Sequence, residues 1–159
     1  MSHVRTLSEH ARQTLADGMT RSVTVARLVG ELNASDVIVL IDTRLDPAIP
    51  TAETILLAAP GSVRYVHVIL NPAMTRDDRV EYLGHELQHA VEIAGDARAV
   101  DSASVRRRFA EIGRELSGST RREKAFETDG AQRVSLAIRR ELAAGGRVAA
   151  NAPVGTAPR

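Results

Sequence analysis

Cysteine is absent from the 159 residues of this chain, and so is tryptophan. Without thiolates, neither a disulfide nor a cysteine-ligated zinc site can form, so any metal ligands must come from histidine, aspartate or glutamate. The aromatic residues are two tyrosines and two phenylalanines. That number is too small for a platform on which nucleic-acid bases stack.

Neither sign of charge dominates, because 21 lysines and arginines face 20 aspartates and glutamates, which gives a formal charge of +1. This balance does not favour a polyelectrolyte partner such as nucleic acid. No hydrophobic run is long enough to span a bilayer, and residues 1–15 lack the apolar stretch of a signal peptide. We therefore expect a cytoplasmic protein with no membrane partner, unless the true translation start lies upstream of Met1 and adds an export signal.

The hydrophobic content of 43% allows a chain of this length to bury a core as one domain without staples. We assign that domain to residues 1–146. Residues 147–159 are rich in alanine, proline and glycine and have little to pack, so we expect a disordered tail there.

The periodicity of apolar residues predicts helices in both halves of the chain, with strands between them. Capping and stop residues support helices at residues 5–17, 20–33, 76–94, 101–116 and 120–144. Alternating or β-branched runs support strands at residues 36–42, 54–59 and 63–70. Pro60-Gly61-Ser62 separates the last two runs, which indicates a hairpin. The order predicts an α+β domain in which a small antiparallel three-stranded sheet packs with about five helices.

The most informative motif is His85-Glu86-Leu87-Gln88-His89, an HExxH sequence within the helix expected at residues 76–94. Two histidines at i and i+4 lie one above the other on the same helix face. Both imidazoles can then reach one Zn²⁺, with Glu86 beside the metal-activated water as general base. The competing interpretation is an amphipathic helix whose polar face happens to include two histidines.

A catalytic zinc needs a third protein ligand. Glu92 is an unlikely choice on distance, since it lies about 10.5 Å along a straight helix from His85. Asp96, just beyond the same helix, is a weak alternative. Glu127 falls on the apolar stripe of the last expected helix, where an unpaired carboxylate is costly. We therefore predict Glu127 as the third ligand, with an ion pair to an arginine of the 101–116 helix as the other explanation.

Two stretches carry a resemblance to known proteins: LGHELQHAVEIA, which contains the HExxH, and AFETDGAQRV, which contains Glu127. They resemble the gluzincins, which are zincin metallopeptidases with a glutamate ligand. More closely, they resemble a group of small bacterial proteins with a minimal zincin-like core, over about residues 20–145. The resemblance implies that His85, His89 and Glu127 bind zinc and that Glu86 is the general base.

The resemblance also implies a zinc-dependent hydrolase, most simply a metallopeptidase, with a peptide or protein as its substrate. Zincins lay an extended peptide along a sheet edge beside the active helix, and we expect residues 63–70 to form that edge. An oxyanion donor is usually Tyr, His or Arg, and the residues available are Tyr65, His67 and Tyr82, each of which also has a structural explanation.

This chain departs from the gluzincin pattern at one position. Gluzincins usually carry ExxxD, whose aspartate braces the first zinc-binding histidine, and Ala131 stands at the corresponding position here. The side chain that orients the zinc ligands is therefore unassigned.

Two other functions stay open on the sequence. In the first, zinc stabilises a non-catalytic domain and Glu86 is incidental. In the second, arginine clusters bind nucleic acid, which the near-neutral charge disfavours; the clusters are Arg106-Arg107-Arg108, Arg121-Arg122 and Arg139-Arg140. The sequence makes no prediction of oligomeric state.

Overall fold

The computed structural model describes residues 2–49, 51–115 and 126–150, with side chains described as far as residue 145. Within these residues the fold is α+β, with five helices, a mixed four-stranded sheet and a separate two-stranded sheet. The elements in chain order are β1 (Val4–Thr6), α1 (Glu9–Arg21), α2 (Val23–Asn33), β2 (Val37–Thr43), β3 (Ala52–Ala58), β4 (Arg64–Leu70), α3 (Arg76–Ala94), α4 (Ser102–Ile112), β5 (Gly113–Glu115), β6 (Phe126–Thr128) and α5 (Asp129–Ala150).

The larger sheet has the strand order β1-β2-β4-β3, so the predicted three-stranded antiparallel sheet is wrong. Strands β1, β2 and β4 run parallel, and β3 alone is antiparallel, pairing with β4 through the expected hairpin. The loop after β2 carries the chain past the position of β4 to the far edge, and the hairpin then returns it to the middle. The short strand β1 overlaps the start of the helix predicted at residues 5–17 and was missed.

Strand β4 lies in the interior of the sheet, so the prediction that residues 63–70 form its edge is wrong as well. It pairs with β2 on one side and β3 on the other. Val66, Val68 and Leu70 are fully buried, as expected for a strand covered on its core face. The edge beside α3 is β3, whose outer side is unpaired within the described residues.

The core lies between one face of the sheet and helices α1, α2 and α3. Its largest fully buried side chains come from both layers and include Leu28, Leu32, Ile41, Leu83 and Leu87. Helix α5 packs closely on α3 at Gly84, where an added Cβ would lie 2.0 Å from Cδ1 of Ile138. The helix that carries the HExxH motif is therefore held between the sheet and α5.

Helix α3 has the predicted bounds. Its N-cap is Thr75, whose hydroxyl accepts a hydrogen bond from the N–H of Asp78 at 3.2 Å. The first two helices begin later in the chain than predicted and lie closer together, because Ser22 both ends α1 and caps α2. Gly18 lies inside α1, where an added Cβ would be 3.1 Å from Val25, so this glycine permits close packing instead of ending the helix.

The C-terminal half differs most from the prediction. Helix α4 ends at Ile112 because residues 113–115 pair with 126–128 as β5 and β6. Helix α5 begins at Asp129 instead of Thr120, and the capping box predicted at Thr120 lies outside the described residues.

The last helix also ends later than predicted. Its backbone is helical to Ala150, past the predicted end at residue 144. The division into a domain at residues 1–146 and a disordered tail at 147–159 stays a prediction. Residues 151–159 lie outside the described residues. In the part of the chain that is described, no helix is both long enough and apolar enough to cross a membrane.

Candidate metal centre

Helix α3 presents both histidines of the HExxH motif towards β6. The rings of His85 and His89 lie one turn apart, with their centroids 4.9 Å from each other. Only 14% of the His85 side chain and 7% of the His89 side chain are exposed. A solvated polar face would leave them in water, so their burial argues against an incidental pair of histidines.

Glu127 meets these two histidines from the neighbouring strand β6. Ligand-capable atoms of His85, His89 and Glu127 all lie within 4.8 Å of one another, and Nε2 of His85 is 3.5 Å from Oε1 of Glu127. The sequence placed Glu127 on a helix, whereas the structure places it on a strand, yet its side chain reaches the predicted position. Within the described residues, Glu127 forms an ion pair with His85.

The second nitrogen of each histidine is also engaged. Nδ1 of His85 lies 3.1 Å from Oγ of Ser135 on α5, and Nδ1 of His89 lies 3.0 Å from Oε2 of Glu92. Because these contacts involve Nδ1, the Nε2 atom of each histidine is the one that can bind a cation. Ala131, at the position where gluzincins carry an aspartate, is buried and offers no polar group.

Sequence reasoning missed the roles of Ser135 and Glu92. The position of Glu92 at i+3 from His89 was a usable signal, because residues at that spacing meet on a helix surface. For Ser135, no local pattern links it to His85, since the contact depends on how α5 packs on α3.

Glu86 lies on the side of α3 that faces the edge strand β3. It is only 6% exposed, and the hydroxyl of Thr54 on β3 donates a hydrogen bond of 2.6 Å to its Oε2. Burial raises the pKa of Glu86 above its ordinary value, against the opposing effects of His89 and of this hydrogen bond. A carboxyl group with a raised pKa exchanges protons closer to neutral pH.

Burial and neighbouring charges shift the pKa values of the two histidines in opposite directions. Burial, with the charge of His89 adding to it, lowers the pKa of His85, although Glu127 opposes the shift. Burial acts to lower the pKa of His89 too, but the hydrogen bond to Glu92 and the nearby carboxylates outweigh it and raise the pKa. The neutral imidazole is the form that binds metal.

The three donors open onto a cleft of about 410 Å³. Strand β3 forms one side and α3 the floor, and the other side is lined by residues of α4 and β6, among them Val105, Phe109 and Phe126. Tyr82 lines the cleft, its ring centroid 6.3 Å from that of His85. Of the three candidate oxyanion donors, Tyr82 is therefore the one that lines the cleft.

Tyr65 and His67 do not line this cleft, so the structure does not bring these two candidate oxyanion donors to the metal ligands. Side chains alternate along a strand, and Val66 and Val68 of β4 point into the core beneath α3. Tyr65 and His67 therefore project from the other face of the sheet. The prediction assumed that β4 was the edge strand nearest the metal ligands.

Two imidazoles and a carboxylate form a donor set that catalytic zinc sites use, with a fourth position open to water or substrate. The residues present fit this requirement, because the three side chains are partly or largely buried and come from two elements held in place by packing. Comparisons of the chain with protein-family models, curated proteins and solved structures found no match. Function is therefore inferred from the site itself, and the likeness to gluzincins stays a prediction.

Proposed function

We propose that this protein is a zinc-dependent hydrolase, most simply a metallopeptidase that acts on a peptide or protein. The observation that carries the proposal is the convergence of His85, His89 and Glu127 within 4.8 Å of one another. Glu86 and Tyr82 border the same cleft. A set of ligands, a base and an accessible cavity together favour catalysis over an isolated ion pair.

In this proposal each residue has a separate task. His85 and His89 bind the ion through Nε2 and Glu127 through its carboxylate. A bound zinc ion acts as a Lewis acid and lowers the pKa of water. Glu86 accepts a proton from the attacking water and delivers it to the leaving amine, for which its raised pKa is suited. Tyr82 donates to the developing oxyanion from the wall of the cleft.

The substrate backbone in this proposal lies along β3, which replaces the strand expected from the sequence. An extended peptide can add to an unpaired strand edge through main-chain hydrogen bonds. Thr54 links this strand to the catalytic glutamate, since its hydroxyl bonds the Glu86 carboxylate. A peptide on β3 would therefore run past Glu86.

The proposal is tested by metal analysis of the wild type and Glu127→Ala, purified under identical conditions. We expect one zinc per chain in the wild type and its loss in the variant, because two imidazoles alone bind zinc weakly. Asp129→Ala is the matched control, since it removes an exposed carboxylate two positions along the chain. Zinc-free wild type would contradict the proposal, and equal zinc in all three proteins would assign the third ligand to another residue.

A second candidate is a zinc-stabilised domain without catalysis. The observation that favours it is the burial of Glu86, whose carboxyl group is already satisfied by Thr54. In that case zinc would raise thermal stability, and no peptide would be cleaved. The Glu86 variant described in the Discussion separates the two functions.

A further inference from the structure

Glu92 lies behind the metal ligands and uses both carboxylate oxygens. Oε2 lies 3.0 Å from Nδ1 of His89, and Oε1 accepts hydrogen bonds from the hydroxyl of Thr128 at 2.8 Å and from Nε2 of Gln88 at 3.3 Å. The side chain is only 10% exposed. A buried carboxylate is costly unless it is paired, and here every contact belongs to the surroundings of the metal ligands.

Thr128 connects this carboxylate to the third ligand. It follows Glu127 directly in the chain and is 1% exposed. Its hydroxyl donates to Glu92 and accepts a hydrogen bond of 3.1 Å from the N–H of Ala131 in the first turn of α5. The strand that carries Glu127 is thereby tied to the helix that carries His89.

Gly130 is a second observation that concerns Glu92, because a side chain at this position would collide with the carboxylate. A Cβ at this position would lie 2.5 Å from Oε1 of Glu92 and 3.2 Å from Nε2 of Gln88. The first turn of α5 can approach the carboxylate this closely only because residue 130 has no side chain. The glycine and the three hydrogen bonds therefore concern the same carboxylate.

We propose that Glu92 is a positioning residue that holds His89 and Glu127 in place for one metal ion. It accepts the Nδ1–H of His89, which fixes the tautomer with Nε2 free and makes the imidazole a better ligand. Through Thr128 it also fixes the start of the segment that presents Glu127. Among the described residues, Nδ1 of His85 meets the neutral hydroxyl of Ser135, so the anionic support is on the second histidine. The inference rests on the proposed metal function.

The test is the zinc dissociation constant of Glu92→Gln, measured by competition with a chromogenic chelator. We expect affinity to fall roughly 10- to 100-fold, because outer partners of metal-binding histidines have effects of this size. Glu81→Gln is the matched control. Glu81 is another buried carboxylate of α3, but it pairs with Arg139 at 2.5 Å and has no hydrogen bond to a ligand. The zinc affinity of Glu81→Gln should change much less than that of Glu92→Gln, because Glu81 acts on His85 only through its charge.

Thr128 provides a second pair of variants in case Glu92→Gln does not fold. Thr128→Val removes the hydroxyl and should weaken zinc binding, whereas Thr128→Ser keeps the hydroxyl and should restore it. The tautomer of His89 in metal-free protein, read by long-range ¹H–¹⁵N NMR, supplies a measurement without zinc. At a pH where the imidazole is neutral, it should be the Nδ1–H form in the wild type and a mixture in Glu92→Gln.

The outcomes distinguish this inference from the proposed function. Wild type that binds no zinc overturns both. Wild type that binds zinc, with Glu92→Gln binding equally tightly, overturns the role of Glu92 and leaves the metal centre intact. Equal affinity of Thr128→Val and Thr128→Ser likewise overturns the link between Glu92 and the segment that carries Glu127.

Discussion

Glu86 combines near-complete burial with a single hydrogen bond from a side chain of the edge strand. Burial raises its pKa, and the bond from Thr54 limits the increase. These features suit a base that must accept a proton and release it again near neutral pH. They also suit a purely structural group, so only a change that keeps the shape and removes the basicity can separate the two.

Glu86→Gln makes that change. We expect the variant to keep its zinc, because Glu86 is not among the three converging ligand side chains. Hydrolysis should fall by roughly 10²- to 10⁴-fold, the usual contribution of a general base. The measurements are metal analysis and cleavage of a peptide library, with Glu81→Gln as control. Cleavage at the wild-type rate would refute the role of Glu86, and full zinc without cleavage in any of the proteins would favour the non-catalytic domain.

At the scale of elements, the packing of α5 on α3 depends on Gly84. The residue before the first histidine has no side chain, and Ile138 of α5 occupies the space that a Cβ would need. Ile138 is fully buried, and a close-packed core gives such a side chain little room to move. The close approach brings Ser135 of α5 to within 3.1 Å of His85.

Two glycine substitutions should therefore change stability in opposite directions. Gly84→Ala should lower the free energy of unfolding by about 1–3 kcal/mol, the usual cost of overpacking a core. Gly30→Ala, in α2, meets nothing within 4 Å and should raise it by about 0.4–1 kcal/mol. Chemical denaturation of metal-free protein measures both. A stabilising Gly84→Ala would mean that α5 packs less closely on α3 than described.

The sequence predicts elements well where the signals are local. The bounds of α3 follow from Thr75, Gly95 and the apolar period between them. Glu127 was expected on the apolar face of a helix, and its side chain does point inwards, but from a strand that exists only because β5 pairs with β6. Pairing between separate segments leaves no trace in the local pattern, which is why this element was misassigned.

At the scale of the whole molecule, the sequence could not predict the strand order or the side chains that contact the candidate ligands. Individual strands were predicted, but the neighbours of a strand depend on the path of its loops. Residues 63–70 were expected at the sheet edge beside the active helix, and Tyr65 and His67 were therefore expected near the candidate metal ligands. Thr54 and Ser135 could not be found either, since their contacts with Glu86 and His85 require the assembled sheet and helices.

Arg64 joins the centre of the sheet to the end of the HExxH helix. It is 4% exposed. It donates to both carboxylate oxygens of Asp36, at 2.9 and 2.6 Å, and to the backbone carbonyls of Ile93 and Asp96 at the end of α3. Its hydrogen bonds hold the pKa of Asp36 below the ordinary value, with burial as the opposing effect.

This pair makes stability depend on pH. Because the pKa of Asp36 is lower in the folded than in the unfolded protein, its contribution is present above the ordinary aspartate pKa and is lost as pH falls through the folded value. Asp36→Asn should therefore lower stability near neutral pH and flatten the decline towards about pH 3. Denaturation across this range, with a chelator present so that zinc release does not contribute, measures both slopes. If stability declined equally steeply with pH in the wild type and in Asp36→Asn, Asp36 would not be the source of this pH dependence.

Because Arg64 fixes the end of α3, the walls of the cleft differ in how freely they can move. Thr54 attaches the same helix to the edge strand, so floor and strand form one rigid unit. Helix α4 is different, because Ser104 is its one buried residue. We therefore expect the α4 side of the cleft to adjust more than the β3 side to molecules of different bulk.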